Sequence, residues 1–290
     1  MISRRKCLEI LGAGTSTAAS LSWVRRGLDA RAPGPQVQIG VCAPPRDLEQ
    51  AQSYGFDYLE PAAASLAAMS SSDFGAFKAR VLASRLRCTS FNSFIRNLRV
   101  VGENVETDEV QNYLGLCLPR CREVGGQIVV WGSASSRNVP EGFSRQRAWG
   151  QIKAFLNQAG DAARPQGLVI AIEPLRHQES NIINTGAEAL ELVREVYHPN
   201  VRMIIDYYHM RVENEDPEII WKARHEIVHF HFANPLGRRW PRSPSEDPEY
   251  ARFFEIVKRM RFRGGISIEG NGSFGQDARP SLEFFHQELA

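Results

Sequence analysis

Four stretches in the second half of the chain decide the fold: LVIAIE at 168–173, VRMIID at 201–206, IVHFHF at 227–232 and ISIE at 266–269. Each is a short, β-rich run dominated by apolar residues. Several are continuous rather than alternating, the pattern of parallel strands covered on both faces rather than of a sheet wetted on one side. Each also carries polar groups at or near its C-terminal end, namely Glu173, Asp206, His229 with His231, and Glu269.

Working outward, four earlier runs continue the series: Val37–Cys42, Asp57–Glu60, Cys88–Phe94 and Gln127–Trp131. Helical patterns fill the intervals. Asp47 is placed to cap a helix that ends at Gly55. Ser144 caps a longer one with Trp149, Ile152, Phe155, Leu156 and Ala159 at helical spacing. Thr185 and Glu188 form a capping box ahead of Ala189, Leu192, Val193 and Val196, with Pro199 as the stop. Tyr250 to Met260 and Ser281 to Leu289 read as the last two helices. From residue 37 to residue 266 the strands recur at roughly 33-residue intervals, enough for strand, loop, helix and loop. This eight-fold alternation predicts one α/β domain, a closed (β/α)8 TIM barrel over residues 37–290. No break in composition marks a second domain.

The N-terminus reads differently. MISRRKCLEILGAGTSTAASLSWVRRG sets Arg4 and Arg5 before a weakly apolar run rich in Ala, Gly, Ser and Thr. That is the layout of an export signal, and the paired arginines give it the twin-arginine character. Residues 1–32 are therefore expected to be a signal segment directing the protein to the periplasm, with cytoplasmic residence the alternative. Residues 33–36 form a Pro-Gly linker. Glu9 inside the apolar run and Pro33 after Ala30-Arg31-Ala32 depart from the pattern. Without the first 32 residues about 258 remain, near the ~250 usual for such a barrel.

Composition removes other classes. Of the 290 residues, 43% are hydrophobic and 23% charged, which excludes a largely disordered, collagen-like or coiled-coil chain. Lysine and arginine number 35 against 33 acids, and a net charge of +2 gives no electrostatic basis for binding nucleic acid or acidic lipid. Five cysteines are too few for a disulfide scaffold, and Cys117 and Cys121 lack the second pair of a structural zinc site. No run of about 18 apolar residues exists, so stable membrane insertion is not expected.

In a barrel of this kind the active site lies at the C-terminal ends of the strands. Glu173, Asp206, His231 and Glu269 stand there on four consecutive strands. A carboxylate buried after an apolar run is costly unless it is paired or metal-bound. Three carboxylates and one imidazole make a hard donor set for one divalent ion, Mn2+, Mg2+ or Co2+ in preference to Zn2+. His229 and His231 share a strand face, and His231, nearer the strand end, is the expected ligand. His209, three residues past Asp206, is placed to contact a substrate hydroxyl, as is Glu179. Arg238, the end-of-strand Trp131, Glu60 and Asn92 are further candidates for substrate contact. Arg137 and Glu141 are assigned to ordering the loop after the fourth strand.

Several motifs extend this reading. Glu173-Pro174-Leu175, followed by Glu179-Ser180-Asn181 and Asn184-Thr185, Asp206-Tyr207-Tyr208-His209-Met210, His229-Phe230-His231 with Asn234 and Arg238, and Gly264 to Gly270 resemble the sugar phosphate isomerase/epimerase family, the xylose isomerase-like barrels. Gly132-Ser133 and the segment Arg137 to Gly142 fit as well. The resemblance covers nearly all of the chain after residue 36. In its ketose 3-epimerase branch it implies that Glu173, Asp206, His231 and Glu269 bind one divalent metal, and that Glu179, His209 and Arg238 contact the sugar. It also implies a small-molecule carbohydrate substrate and a homodimer. Arg176-His177-Gln178 replaces the family's Asn-Arg-aromatic stretch, Asn234 stands where an acid is frequent, and Arg238 is offset by one from the epimerase arginine.

The chemistry expected of such a site is proton transfer beside a carbonyl. A divalent ion chelated by a carbonyl and its neighbouring hydroxyl stabilises an enediolate. Glu173 and Glu269, on non-adjacent strands, are placed to remove a proton from one face and return one to the other. Epimerisation, aldose–ketose isomerisation and β-elimination by a lyase or hydratase on oxidised sugars all follow from the same ligands. An endonuclease IV-type repair enzyme would need more histidines and a basic face. A sugar-binding barrel without turnover is the remaining alternative.

Overall fold

The computed structural model describes residues 37–290. The expected signal segment and linker, residues 1–36, lie outside the described residues. Among the described residues there are eight strands: β1 Gln38–Cys42, β2 Tyr58–Glu60, β3 Ser90–Phe91, β4 Ile128–Trp131, β5 Val169–Ile172, β6 Val201–Asp206, β7 Ile227–Phe232 and β8 Gly265–Ile268. They form one sheet in the order β2-β1-β8-β7-β6-β5-β4-β3, with every ladder parallel. Between β2 and β3 the sheet is joined by two isolated parallel bridges, Tyr58 with Arg87 and Ala62 with Asn92. The barrel is therefore nearly closed, and its seam lies between β2 and β3. The extended run expected over Cys88–Phe94 shortens to Ser90–Phe91 because its flanks meet β2 only through these single bridges.

The helices pack outside the strands, and three sequence expectations need correction. The helix Leu48–Tyr54 is preceded by a tight turn, Pro45–Asp47, so Asp47 already sits in a turn of its own and makes no side-chain cap. Ser144 and Thr185 do cap their helices, accepting the N–H groups of Arg147 and Glu188. The Glu188 carboxylate, however, takes the N–H of Asn184 rather than that of Thr185. The last helix is Phe274–Leu289, longer than the expected Ser281–Leu289. Its first turn is anchored by Asp277, which accepts the N–H of Ser273 at 2.7 Å, and the helix continues through Pro280. Among the described residues no helix is long and apolar enough to cross a membrane.

The pleat sorts side chains between the interior and the outer layer. On β7, Phe230 and Phe232 point outward against Phe253 and Phe254 of the helix Tyr250–Arg259. His229 and His231 point inward and are both buried. Beside β4, β5 and β6 the interior is apolar, a small cluster of Val130, Ala171 and Ile204. On the opposite side it is filled by Tyr58. A Cβ on Gly40 of β1 would lie 2.1 Å from the Tyr58 ring, so only glycine leaves room for that ring.

Candidate active site

Ligand atoms of Glu173, Asp206, His231 and Glu269 lie within 4.8 Å of one another at the C-terminal mouth of the barrel. Asp206 and His231 are partners in the β6–β7 register. Glu173 and Glu269 each stand one residue beyond their strands, held by backbone bonds to Trp131 and Phe232 at 3.2 and 3.1 Å. Glu173 fits because residue 132 is glycine: a Cβ there would be 1.7 Å from Glu173 Oε2.

The orientation of His231 follows from its two ring nitrogens. Nε2 is 2.8 Å from Glu60 Oε1. Nδ1 is 3.0 Å from Glu173 Oε1 and 3.0 Å from Glu269 Oε2, so it faces the centre of the acid group. Burial opposes charge on this ring, but Glu60, Glu269 and Glu173 on either side hold its pKa well above the ordinary value. An ion at the centre of the group would take the place of the Nδ1 proton.

The carboxylates differ in their surroundings. Burial pushes the Asp206 carboxyl up to about 6, although Arg238 opposes the shift. Burial would also raise Glu269, yet Arg238 and His231 hold it down at about 2. Arg238 Nη2 donates to Glu269 Oε2 at 2.8 Å and approaches Asp206 Oδ2 at 3.3 Å. Its guanidinium lies over the Tyr208 ring, 4.9 Å from the centroid. Arg176 packs on the same ring at 5.1 Å and donates from Nε to Glu179 Oε1 at 2.7 Å. Arg238, Arg176, Tyr208 and Glu179 thus form one rim cluster.

His209 is 1% exposed. Burial lowers its pKa to about 4, which leaves a neutral ring. Its Nδ1 accepts the N–H of Arg176 at 3.3 Å, so the ring proton belongs on Nε2. That Nε2 has no hydrogen-bond partner among the described residues and lies 3.4 Å from Asp206 Oδ2. A buried donor without an acceptor, aimed into the acid group, is suited to a substrate oxygen.

Two candidates for substrate contact are placed elsewhere. Trp131 is turned outward by the pleat. Its indole packs on Phe155 at 4.9 Å between centroids and donates to Ser136 Oγ at 3.1 Å, so it belongs to the core and presents no face to the mouth. Glu60 is fully buried beneath His231 rather than at the mouth. Asn92 is half-buried at the β3 end, where Nδ2 donates to the Glu60 carbonyl at 3.3 Å. Arg137 orders its loop as expected: it is fully buried and donates to the Trp131 and Glu173 carbonyls at 3.0 and 2.8 Å. Sequence reasoning missed Arg176 and Gly132 as site residues. For Arg176 the signal was its departure from the family pattern. For Gly132 it was a glycine directly after a strand.

Cys42, Glu60 and His231 form a second group of closely placed ligand atoms. Burial and the nearby Glu60 keep the Cys42 thiol protonated, and the Glu60 oxygens are already taken by hydrogen bonds. The acid group, by contrast, offers three carboxylates and an inward Nδ1, a donor set that fits a hard divalent ion.

Residues 48–287 match the family described as Xylose isomerase-like TIM barrel. An L-ribulose 3-epimerase from Methylomonas sp. (strain DH-1) is 30% identical over 125 residues, 41% of either chain. A ketose 3-epimerase from Arthrobacter globiformis is 34% identical over 121 residues, 42% of this chain and 41% of that one. The matched region thus spans about two-fifths of these curated relatives. The crystal structure of a 3-keto-D-glucoside 4-epimerase from E. coli superposes with a TM-score of 0.74 at 21% identity, covering 87% of this chain and 99% of that one.

Proposed function

Because the chain belongs to the xylose isomerase-like TIM barrel family, we propose that it is a divalent-metal-dependent sugar epimerase or isomerase that moves a proton beside a keto-sugar carbonyl. The observation that carries this reading is the convergence of Glu173, Asp206, His231 and Glu269 within 4.8 Å. These four residues would hold one Mn2+, Mg2+ or Co2+ ion. When bound, it would supply Lewis-acid polarisation of a substrate carbonyl.

The chain supplies the rest. Glu173 and Glu269, from β5 and β8, flank the reacting carbon; one carboxylate takes the proton and the other returns one to the opposite face. His209 donates its Nε2–H to a substrate oxygen. Arg238 and Glu179 bind hydroxyls at the rim, with Asn92 on the β3 side. The two curated relatives named above are 3-epimerases of ketoses, which favours a free ketose as substrate. The E. coli neighbour acts on a 3-keto-glucoside and covers almost the whole barrel, which keeps oxidised glycosides as a second substrate class.

The test is metal content together with deuterium incorporation from heavy water over ketoses and 3-keto-glycosides. The expected result is about one Mn, Co or Mg per chain, deuterium at the carbon beside the carbonyl, and an epimeric product. Loss of a β-substituent instead would make the enzyme a lyase. A protein that takes no metal on reconstitution would overturn the reading. Export through Arg4 and Arg5 is proposed on the sequence pattern alone; a double Arg4→Lys, Arg5→Lys variant should stay in the cytoplasm. A homodimer is proposed on the family resemblance and is checked by light scattering.

A further inference from the structure

We propose that Glu60 is a positioning residue that fixes the tautomer of His231 and thereby sets how tightly the four strand-end ligands hold their ion. The proposal rests on the metal-centre reading above. Glu60 lies at the end of β2 with no exposed surface. Its Oε2 accepts from Ser90 Oγ at 2.6 Å, from His229 Nε2 at 2.8 Å and from Ser267 Oγ. Its Oε1 is 2.8 Å from His231 Nε2. Four donors for one carboxylate leave no room for it to turn. Ser267 in turn pairs with the Tyr58 hydroxyl at 2.9 Å, which ties the arrangement to the interior of the barrel.

A carboxylate only accepts, so the nitrogen facing Glu60 must carry hydrogen. With one proton held on Nε2, it is the Nδ1 proton that an ion displaces, and the Nδ1 lone pair then points into the group of Glu173, Asp206 and Glu269, the geometry a ligand needs. A neutral amide of the same shape breaks this logic. In a Glu60→Gln variant the amide oxygen is drawn to the three donors at the Oε2 position. Its NH2 group then faces His231 and requires Nε2 to accept. The ring proton moves to Nδ1, and the imidazole is lost as a ligand while the three carboxylates stay.

The experiment measures Mn2+ dissociation constants by chelator competition for wild type, Glu60→Gln and Ser90→Ala, with thermal unfolding of each protein without metal. Ser90→Ala removes a donor from the same carboxylate without touching the His231 contact. Glu60→Gln should weaken Mn2+ about 10- to 100-fold, and Ser90→Ala should stay within about threefold of wild type. Equal Mn2+ affinity in a folded Glu60→Gln protein would overturn the proposal. So would affinity losses in both variants that merely follow their losses in melting temperature. If Glu60→Gln does not fold, 15N-histidine spectra of the Mg2+-loaded wild type decide: His231 protonated on Nε2 supports the proposal, and protonation on Nδ1 defeats it. Wild type that binds no ion would sink the metal-centre reading itself, whereas binding that ignores residue 60 sinks only the role of Glu60.

Discussion

The two sides of the barrel interior are built on the same strand period and filled in opposite ways. Beside β4, β5 and β6 the inward positions hold Val130, Ala171 and Ile204, an apolar cluster packed with Ile128 and Val228. Across from them stand Tyr58, Glu60, Ser90, His229 and Ser267, all buried and joined by hydrogen bonds. Apolar filling is tolerant, because methyl groups contribute by area and shape. A buried polar network is not, because one missing partner strands the others in a medium of low dielectric. The half that is harder to build lies under His231, and the easier half serves as packing. Chemistry at the mouth is therefore expected to depend on one side of the interior and to ignore the other.

The largest effect should come from the mouth itself. Glu269→Gln keeps the shape and removes a carboxylate proposed to transfer a proton, and turnover should fall by about 10²–10⁴ while thermal unfolding changes little. Retained turnover would take Glu269 out of the mechanism. Next is Gly132→Ala, a change of one methyl at the end of β4. The new Cβ would meet Glu173 Oε2 at 1.7 Å, so the carboxylate must move. A displacement of that order should cost about 10²-fold in kcat/KM, and a Gly132→Ala enzyme of normal activity would show that Glu173 has no fixed position to lose.

On the apolar side, Ile204→Ala should destabilise the fold by about 2–5 kcal/mol in denaturant titrations. Its kcat/KM, measured well below the unfolding transition, should stay within about threefold of wild type. A tenfold loss would erase the contrast between the two halves. The smallest effect is expected at the rim. Arg176→Met frees Glu179 from a half-exposed ion pair worth about 0.2–1 kcal/mol, so KM should rise less than about fivefold and kcat should hold. A change confined to kcat would place Arg176 closer to the reacting atoms than its contact with Glu179 implies.

Much of this arrangement was legible in the chain. LVIAIE, VRMIID, IVHFHF and ISIE announce both a strand and the polar group at its end, because an acid or imidazole set into an apolar run is too costly to be incidental. What stayed hidden depended on direction rather than identity. Trp131 and Glu60 both close strands, yet the pleat turns one outward to Phe155 and the other inward beneath His231. A strand end does not reveal its parity until the register with its neighbours is known. Ser90, Ser267 and Tyr58 are ordinary strand residues in the sequence, and their meaning comes from meeting at one carboxylate. The helix Phe274–Leu289 starts well before the expected Ser281, because its first turn depends on the anchoring of Ser273 by Asp277, a contact no local pattern displays.

The seam between β2 and β3 has a consequence for how the barrel breathes. Where β4 and β5 share a register of four residues, β2 and β3 meet through two isolated bridges. Few rungs make for low local opening energy, and protection of amide protons follows it. The Leu59 and Asn92 amides should therefore trade with solvent before those of β5 to β8. The side-chain bond from Ser90 to Glu60 crosses the same gap and acts as a rung where the backbone provides few. Opening the stave between β2 and β3 would therefore reach the buried carboxylate of Glu60 before it reaches the apolar filling of Val130, Ala171 and Ile204.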